Sequence, residues 1–353
     1  MSSPTRRVYI GSFTPPGGTG AGITLVDQDV ETGELVNPRL VATTSSPAFL
    51  AWHPDGHTLY AVNESTSTMQ AFRVAEDGTL TDLGTVPDGG EGPCHLSVDP
   101  SGTFLVAANY GNGTVVVHRI GADGSLGEQT DLVSHTEPLG PNKARQDHAH
   151  AHQAKFDASG RWLLVNDLGT DAVYVYSLDL ETGTLKPGAT PIVATAPGAG
   201  PRHLVSLSHG WVYVANELNS TVASYSFDDS DGTLAAAAVG GSTVQPVGQE
   251  NYPSEIAVDI DGKFAYVANR GADLVGTIAL DGASVTPVAD TPTGGAWPRH
   301  LAVIGTHLYV ANERSHDVTV FDLDATTGIP AATSFTLAIP SPGCTLAAPL
   351  TFD

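Results

Sequence analysis

The sequence predicts an all-β protein, a single seven-bladed β-propeller over residues 1–353 with four short antiparallel strands per blade. Three observations predict it. One pattern recurs at a period of about 50 residues along the whole chain. Glycine (39) and proline (24) are abundant and fall between short apolar runs, where they punctuate turns. The two ends of the chain carry complementary fragments of the same unit.

The units can be followed in order. Six begin with related segments: PAFLAWHPDG from Pro47, PCHLSVDPSG from Pro93, HAHQAKFDASG from His150, PRHLVSLSHG from Pro201, PSEIAVDIDG from Pro253 and PRHLAVIGTH from Pro298. Each opens with a short apolar strand that ends at a turn such as HPDG or DPSG. A second strand of the LYAVN type follows, then a polar turn and an alternating third strand such as TVVVHRI. Turns such as EDGTL and ETGTL lead to an outer strand. Asp or Asn with Gly supplies the positive φ of tight hairpins, and Val, Tyr and Leu suit pleated, partly buried strands. The seventh unit is split. GCTLAAPLTFD, from Gly343 to Asp353, reads as its first strand, and Arg6 to Val36 reads as the remainder. The last strand therefore completes the blade that the N-terminus begins, which leaves no separately foldable domain.

Composition narrows the function classes. Fifteen Lys and Arg stand against 38 Asp and Glu, a net charge of −23. Such a surface repels nucleic-acid phosphate and anionic lipid, so neither nucleic acid nor membrane is expected as a partner. An anionic ligand would have to meet local Arg or Lys. The opening MSSPTRRVYIGS lacks the apolar stretch of a signal peptide, and the only cysteines are Cys94 and Cys344. The expectation is a reduced, cytoplasmic protein. A closed ring has no strand edge that must be covered, so a monomer is expected.

Constant positions of a repeat build the scaffold, so chemistry is sought at its polar exceptions. The third position of the first strand reads Phe49, His95, His152, His203, Glu255, His300 and Thr345, and the second reads Ala48, Cys94, Ala151, Arg202, Ser254, Arg299 and Cys344. In a propeller this strand lines the central channel. Four His would form a partial ring, with Arg202 and Arg299 nearby. The residue after the second strand is also variable: Glu64, Tyr110, Leu168, Glu217, Arg270 and Glu313. His95 and His300 are expected to bond between blades. The Asn at the strand ends (Asn63, Asn109, Asn216, Asn269, Asn312) are expected to bond the backbone of turns. The cysteines read as buried small residues.

A long insertion, SHTEPLGPNKARQDHAHAHQ from Ser134, precedes the third unit. Long loops in compact folds are often functional, although its Lys143 and Arg145 read most simply as solvated. His148, His150 and His152 alternate and would share one face of a strand, as neutral His ligands do. This spacing positions no carboxylate to complete a metal site, so no metal is expected. G-x-S-x-G and P-loop motifs are absent.

These residues resemble the seven-bladed lactonase family, which includes propeller-type 6-phosphogluconolactonases and fungal carboxy-cis,cis-muconate cyclases. The likeness rests on GAGPRH (Gly198 to His203), NELNS (Asn216 to Ser220), YIGSFT near the N-terminus, HAHQAKFD and the Asn269–Arg270 pair. It covers essentially the whole chain. The resemblance implies an active site at one mouth of the channel built from a His, two Arg and a Glu. Carried over by position, these are His152, Arg202, Glu217 and Arg270, with His150, His203 and Arg299 as further substrate-lining groups. It implies a cofactor-independent lactone hydrolase, acting on an anionic sugar lactone of the 6-phosphogluconolactone type. Lactonisation of a muconate on the same scaffold, and a non-catalytic binding propeller, are the alternatives.

Overall fold

Asp-Gly turns and alternating strands give what their local chemistry dictates. The computed structural model describes residues 4–248 and 250–349. Residues 350–353, the end of the segment expected to close the seventh blade, lie outside the described residues. Seven four-stranded antiparallel sheets follow one another. Blade 4 is typical, with an inner strand Pro201–Leu207, then Trp211–Asn216, Thr221–Asp228 and an outer strand Thr233–Gly241. The other inner strands are Pro47–Trp52, Pro93–Val98, Ala151–Phe156, Tyr252–Val258, Pro298–Ile304 and Pro342–Ala347. Each begins within a residue of its expected position. The closing blade joins Pro342–Ala347 to Thr5–Ser12, pairing Thr345 with Ile10 and Leu346 with Tyr9.

Inner strands touch those of both flanking blades around the whole ring. The second strands are buried nearly throughout, and end to end in Phe104–Asn109, whereas the outer strands are half exposed. Seven apolar clusters result, one at each blade–blade interface. Stability is therefore spread around the ring as nearest-neighbour contacts.

A polar latch crosses four of these interfaces. A tyrosine in the second strand, or in the first strand of the N-terminal segment, donates its hydroxyl to a turn glycine carbonyl in the next blade. The pairs are Tyr9 to Gly78 (2.8 Å), Tyr60 to Gly124 (2.9 Å), Tyr213 to Gly282 (2.7 Å) and Tyr309 to Gly33 (2.8 Å). Gly78 and Gly124 have φ of 84° and 81°, values that favour glycine. The same residue thus closes the hairpin and presents the carbonyl.

The strand-end Asn differ from expectation. Asn63 and Asn216 donate to side chains of the following strand, Thr68 and Thr221. Asn312 donates to Asp317 and Thr319 and also to the Val310 carbonyl, and Asn269 bonds backbone at Val267 and Ser242. The strand-end position faces the next strand more than its own turn.

Candidate active site

Antiparallel register brings the two variable phases together. Within each blade the start of the inner strand pairs with the end of the second strand, as in Pro201 with Asn216, Tyr252 with Arg270 and Pro298 with Asn312. The second position of the inner strand and the residue after the second strand therefore meet at one mouth of the channel.

There Glu217 is held by three guanidinium groups. Arg202 Nε lies 3.1 Å and Arg270 Nη2 2.7 Å from Oε2, and Arg145 donates to Oε1. Arg202 and Arg270 are further oriented by carbonyls of blade 5: Arg202 Nη1 donates to Ser254 at 2.7 Å and Arg270 Nε to Tyr252 at 3.2 Å. The Arg202 Nε and Arg270 Nη2 contacts with Glu217 are close but misaligned. They are charge contacts, and both N–H groups remain buried without an aligned acceptor. Burial opposes ionisation of Glu217, but Arg270, Arg202 and Arg145 outweigh it and hold the carboxyl at about 2. Burial and the neighbouring Arg270 lower Arg202 to about 9, which leaves it cationic at neutral pH.

Arg145 reaches this cluster because the long insertion is pinned. Asp167 stands where most blades have Asn. Its Oδ1 accepts the backbone N–H of His150 (2.9 Å), Gly169 (2.9 Å) and Thr170 (3.0 Å), and its Oδ2 meets His135 Nδ1 at 2.7 Å. His135 also stacks on Tyr174, with ring centroids 3.5 Å apart. Gln146 Nε2 donates to Leu168 O at 2.9 Å. The expectation of a solvated Arg145 is thereby corrected. Its side chain is about one-third exposed, and the guanidinium also donates to the Tyr110 hydroxyl at 3.3 Å.

The third-position side chains converge on the axis as expected. Phe49 packs on His95 at 4.2 Å and His300 at 5.7 Å, and His203 lies 5.5 Å from His95 and 5.1 Å from His152 between ring centroids. His203 Nδ1 donates to Glu255 Oε2 at 2.9 Å, and His300 Nε2 lies 3.4 Å from the same oxygen. His300 bonds across to the closing blade, accepting from Thr345 N at 3.3 Å. His95 does not follow its expected role, since its Nδ1 is buried without a partner. Lys155, which the repeat comparison did not single out, is lowered by burial, an effect Glu255 opposes. Burial, with Arg202 next, holds His152 well below the ordinary histidine value, so its imidazole is neutral at physiological pH.

The seven expected residues do not form one set. Arg202, Glu217 and Arg270 are in contact; the His152 ring neighbours His203 and Tyr110, with centroids 5.1 and 5.5 Å away, and feels the charges of Arg202, Arg299 and Arg270. His203 is committed to Glu255. Arg299 lines one small cavity with Arg202 and His203, but its own partners are Glu64 at 4.0 Å, Glu313 at 3.6 Å and the Phe13 ring at 4.5 Å. His150 stacks on Tyr110 at 4.3 Å and turns its Nε2 to Asp147 at 3.1 Å.

The shared face expected for three alternating His is also corrected. The inner strand starts only at Ala151, and its register shifts between Ala151 and Gln153. That bulge re-aims His152 toward His203, while His148 and His150 stay together with ring centroids 3.9 Å apart. A carboxylate does accompany them, for Asp147 lies 3.1 Å from each. Cys94 and Cys344 are buried, free and pushed up by burial, so neither offers a thiolate.

A hollow of about 680 Å³ lies at the other end of the sheets, lined by the Asp157–Ser159 and Ser208–Gly210 turns. Turn backbone and exposed acids form it, and it lacks convergent cations. No helix among the described residues is long and apolar enough to cross a membrane.

Comparison with known proteins agrees with this architecture. The family model described as "Lactonase, 7-bladed beta-propeller" matches residues 7–347. The 6-phosphogluconolactonase of Bacillus subtilis (strain 168) is 30% identical over 344 residues, 95% of this chain and 96% of that protein. The 6-phosphogluconolactonase of Formosa agariphila is 29% identical over 335 residues, 91% and 93% of the two chains. The solved structure of the periplasmic gluconolactonase of Pseudomonas aeruginosa superposes with a TM-score of 0.90 at 28% identity, covering 98% of this chain and 100% of that one. The chain belongs to the seven-bladed lactonase β-propeller family.

Proposed function

We propose that this protein hydrolyses a phosphorylated sugar lactone of the 6-phosphogluconolactone type, with the Glu217 mouth as its active site. One observation carries the reading. Three guanidiniums converge on a single carboxylate in a protein of net charge −23. That leaves two net positive charges and buried, misaligned N–H donors, a match for a phosphate group carrying close to two negative charges at neutral pH. The relatives named as 6-phosphogluconolactonases and the family assignment support the same class of substrate.

The chemistry divides among the residues as follows. His152, neutral, takes a proton from water as the water oxygen attacks the lactone carbonyl carbon. An Arg202 or Arg270 N–H meets the oxyanion that forms, a contribution of about 10²–10³ in rate for a well-placed donor. Collapse breaks the bond from the carbonyl carbon to the ring oxygen, and the proton passes from His152 to that oxygen, giving the open hydroxy acid. Glu217 orients the guanidiniums. Its carboxylate is already engaged by Arg145, Arg202 and Arg270, which suits an orienting role rather than that of the base. The expected roles of His150, His203 and Arg299 narrow accordingly to shaping the mouth.

The test is hydrolysis of a lactone panel, including 6-phosphogluconolactone and its unphosphorylated counterpart, by wild type, His152→Ala and Arg202→Ala. Preference for the phosphorylated lactone, and loss of at least about 10²-fold in both variants, is expected. Wild-type rates in the variants would place the chemistry elsewhere.

A further inference from the structure

We propose that Asp147, His148 and His150 bind one divalent transition-metal ion of the zinc class at the rim of the mouth. This does not rest on the lactone reading. It starts from which ring nitrogens are already engaged. His150 Nδ1 donates to the Tyr110 carbonyl at 2.7 Å, and His148 Nε2 donates to the Gly111 carbonyl at 2.9 Å. Carbonyls only accept, so each ring carries its proton there. The remaining nitrogens, His150 Nε2 and His148 Nδ1, then point lone pairs at Asp147 Oδ1 and Oδ2, each 3.1 Å away. Acceptor faces acceptor twice at one carboxylate.

A single cation bonded to all three groups relieves both contacts. The geometry is close to what such an ion needs. The three ligand atoms lie within 4.8 Å of one another. Ligands about 2.1 Å from a tetrahedral ion stand about 3.4 Å apart; the two His–Asp147 separations, to different carboxylate oxygens, are 3.1 Å, and side-chain rotation would bring one atom of each residue from within 4.8 Å to that spacing. Ligating His characteristically donate their other N–H to a backbone carbonyl, which fixes ring and tautomer, and both rings here do so. Two imidazoles and one carboxylate suit zinc, cobalt, nickel or copper better than calcium or magnesium.

The placement gives the ion a structural consequence. His150 stacks on Tyr110, and Arg145 donates to the Tyr110 hydroxyl. Arg145, Asp147 and His148 lie on one insertion, so the ion would clamp the segment that delivers Arg145 to Glu217.

The experiment uses tag-free full-length protein, stripped with chelator and titrated with Co²⁺ and then Zn²⁺. One Co²⁺ per chain with the visible absorption of a nitrogen-ligated ion is expected. His148→Ala and Asp147→Asn, both at exposed side chains, should each weaken binding by at least about tenfold with an unchanged circular dichroism spectrum. Zn²⁺ should raise the melting temperature of wild type but not of His148→Ala. Absence of binding up to about 100 µM metal, or an unchanged affinity in either variant, would overturn the proposal.

Discussion

Glu217→Gln isolates the charge at the centre of the mouth while keeping its shape. At neutral pH the carboxylate faces Arg145, Arg202 and Arg270. Each such contact is worth about 4–5 kcal/mol at an effective dielectric near 20, before desolvation is subtracted. Removing one partner of a buried pair typically costs about 3–5 kcal/mol. With unfolding entropy of about 2.1 cal/mol/K per residue over 353 residues, a cost of that size is a loss of about 4–7 °C in Tm. Because the folded-state value is depressed, this stability is present above pH 4.5 and is lost as pH falls toward 2. The variant has no carboxylate to titrate, so the gap between the two proteins should close across that window. Thermal melts in low-salt buffer between pH 7 and pH 3 measure it. Inorganic phosphate should stabilise the variant more than wild type, since an anion then supplies the missing charge. Equal melting at pH 7, or a gap that widens on acidification, would refute the balance of charges assigned to this mouth.

Three further outcomes follow from the geometry. Arg145→Gln removes a charged donor, worth about 1.5–3 kcal/mol, so steady-state kcat/KM on the phosphorylated lactone should fall roughly tenfold to 150-fold; an unchanged value would return Arg145 to the solvated class. The acid limb of kcat/KM should lie below pH 6.5, because His152 is active when neutral and is held below that value; a limb at or above 6.5 would exclude it as the base. Tyr213→Phe deletes the latch to Gly282 O and leaves a carbonyl unpaired, so urea unfolding should show a loss of about 1 kcal/mol with activity retained.

What the sequence makes legible follows from how local the determinants are. Tyr213 and Gly282 lie 69 residues apart, yet both occupy fixed phases of the repeat, so period alone assigns their blades. The same holds for Arg202, Glu217 and Arg270. Antiparallel register places the second position of one strand beside the residue after the next, and departures from the repeat at those phases converge on one mouth. Arg145 has no phase. Its partner is 72 residues away in another blade, and the path between them is fixed by Asp167, which the sequence presents only as one more strand-end residue. Asp147 was equally hidden for a different reason. Alternation predicts that His148, His150 and His152 share a face, and that holds only if the strand is regular and already begun. Here it begins at Ala151 with a register shift, which gives His152 to the channel and leaves the other two with the carboxylate beside them. The same shift recurs at this phase in the other inner strands, so the repeat itself carries the placement of His152 in the channel; what it does not carry is the insertion that sets Asp147 beside His148 and His150.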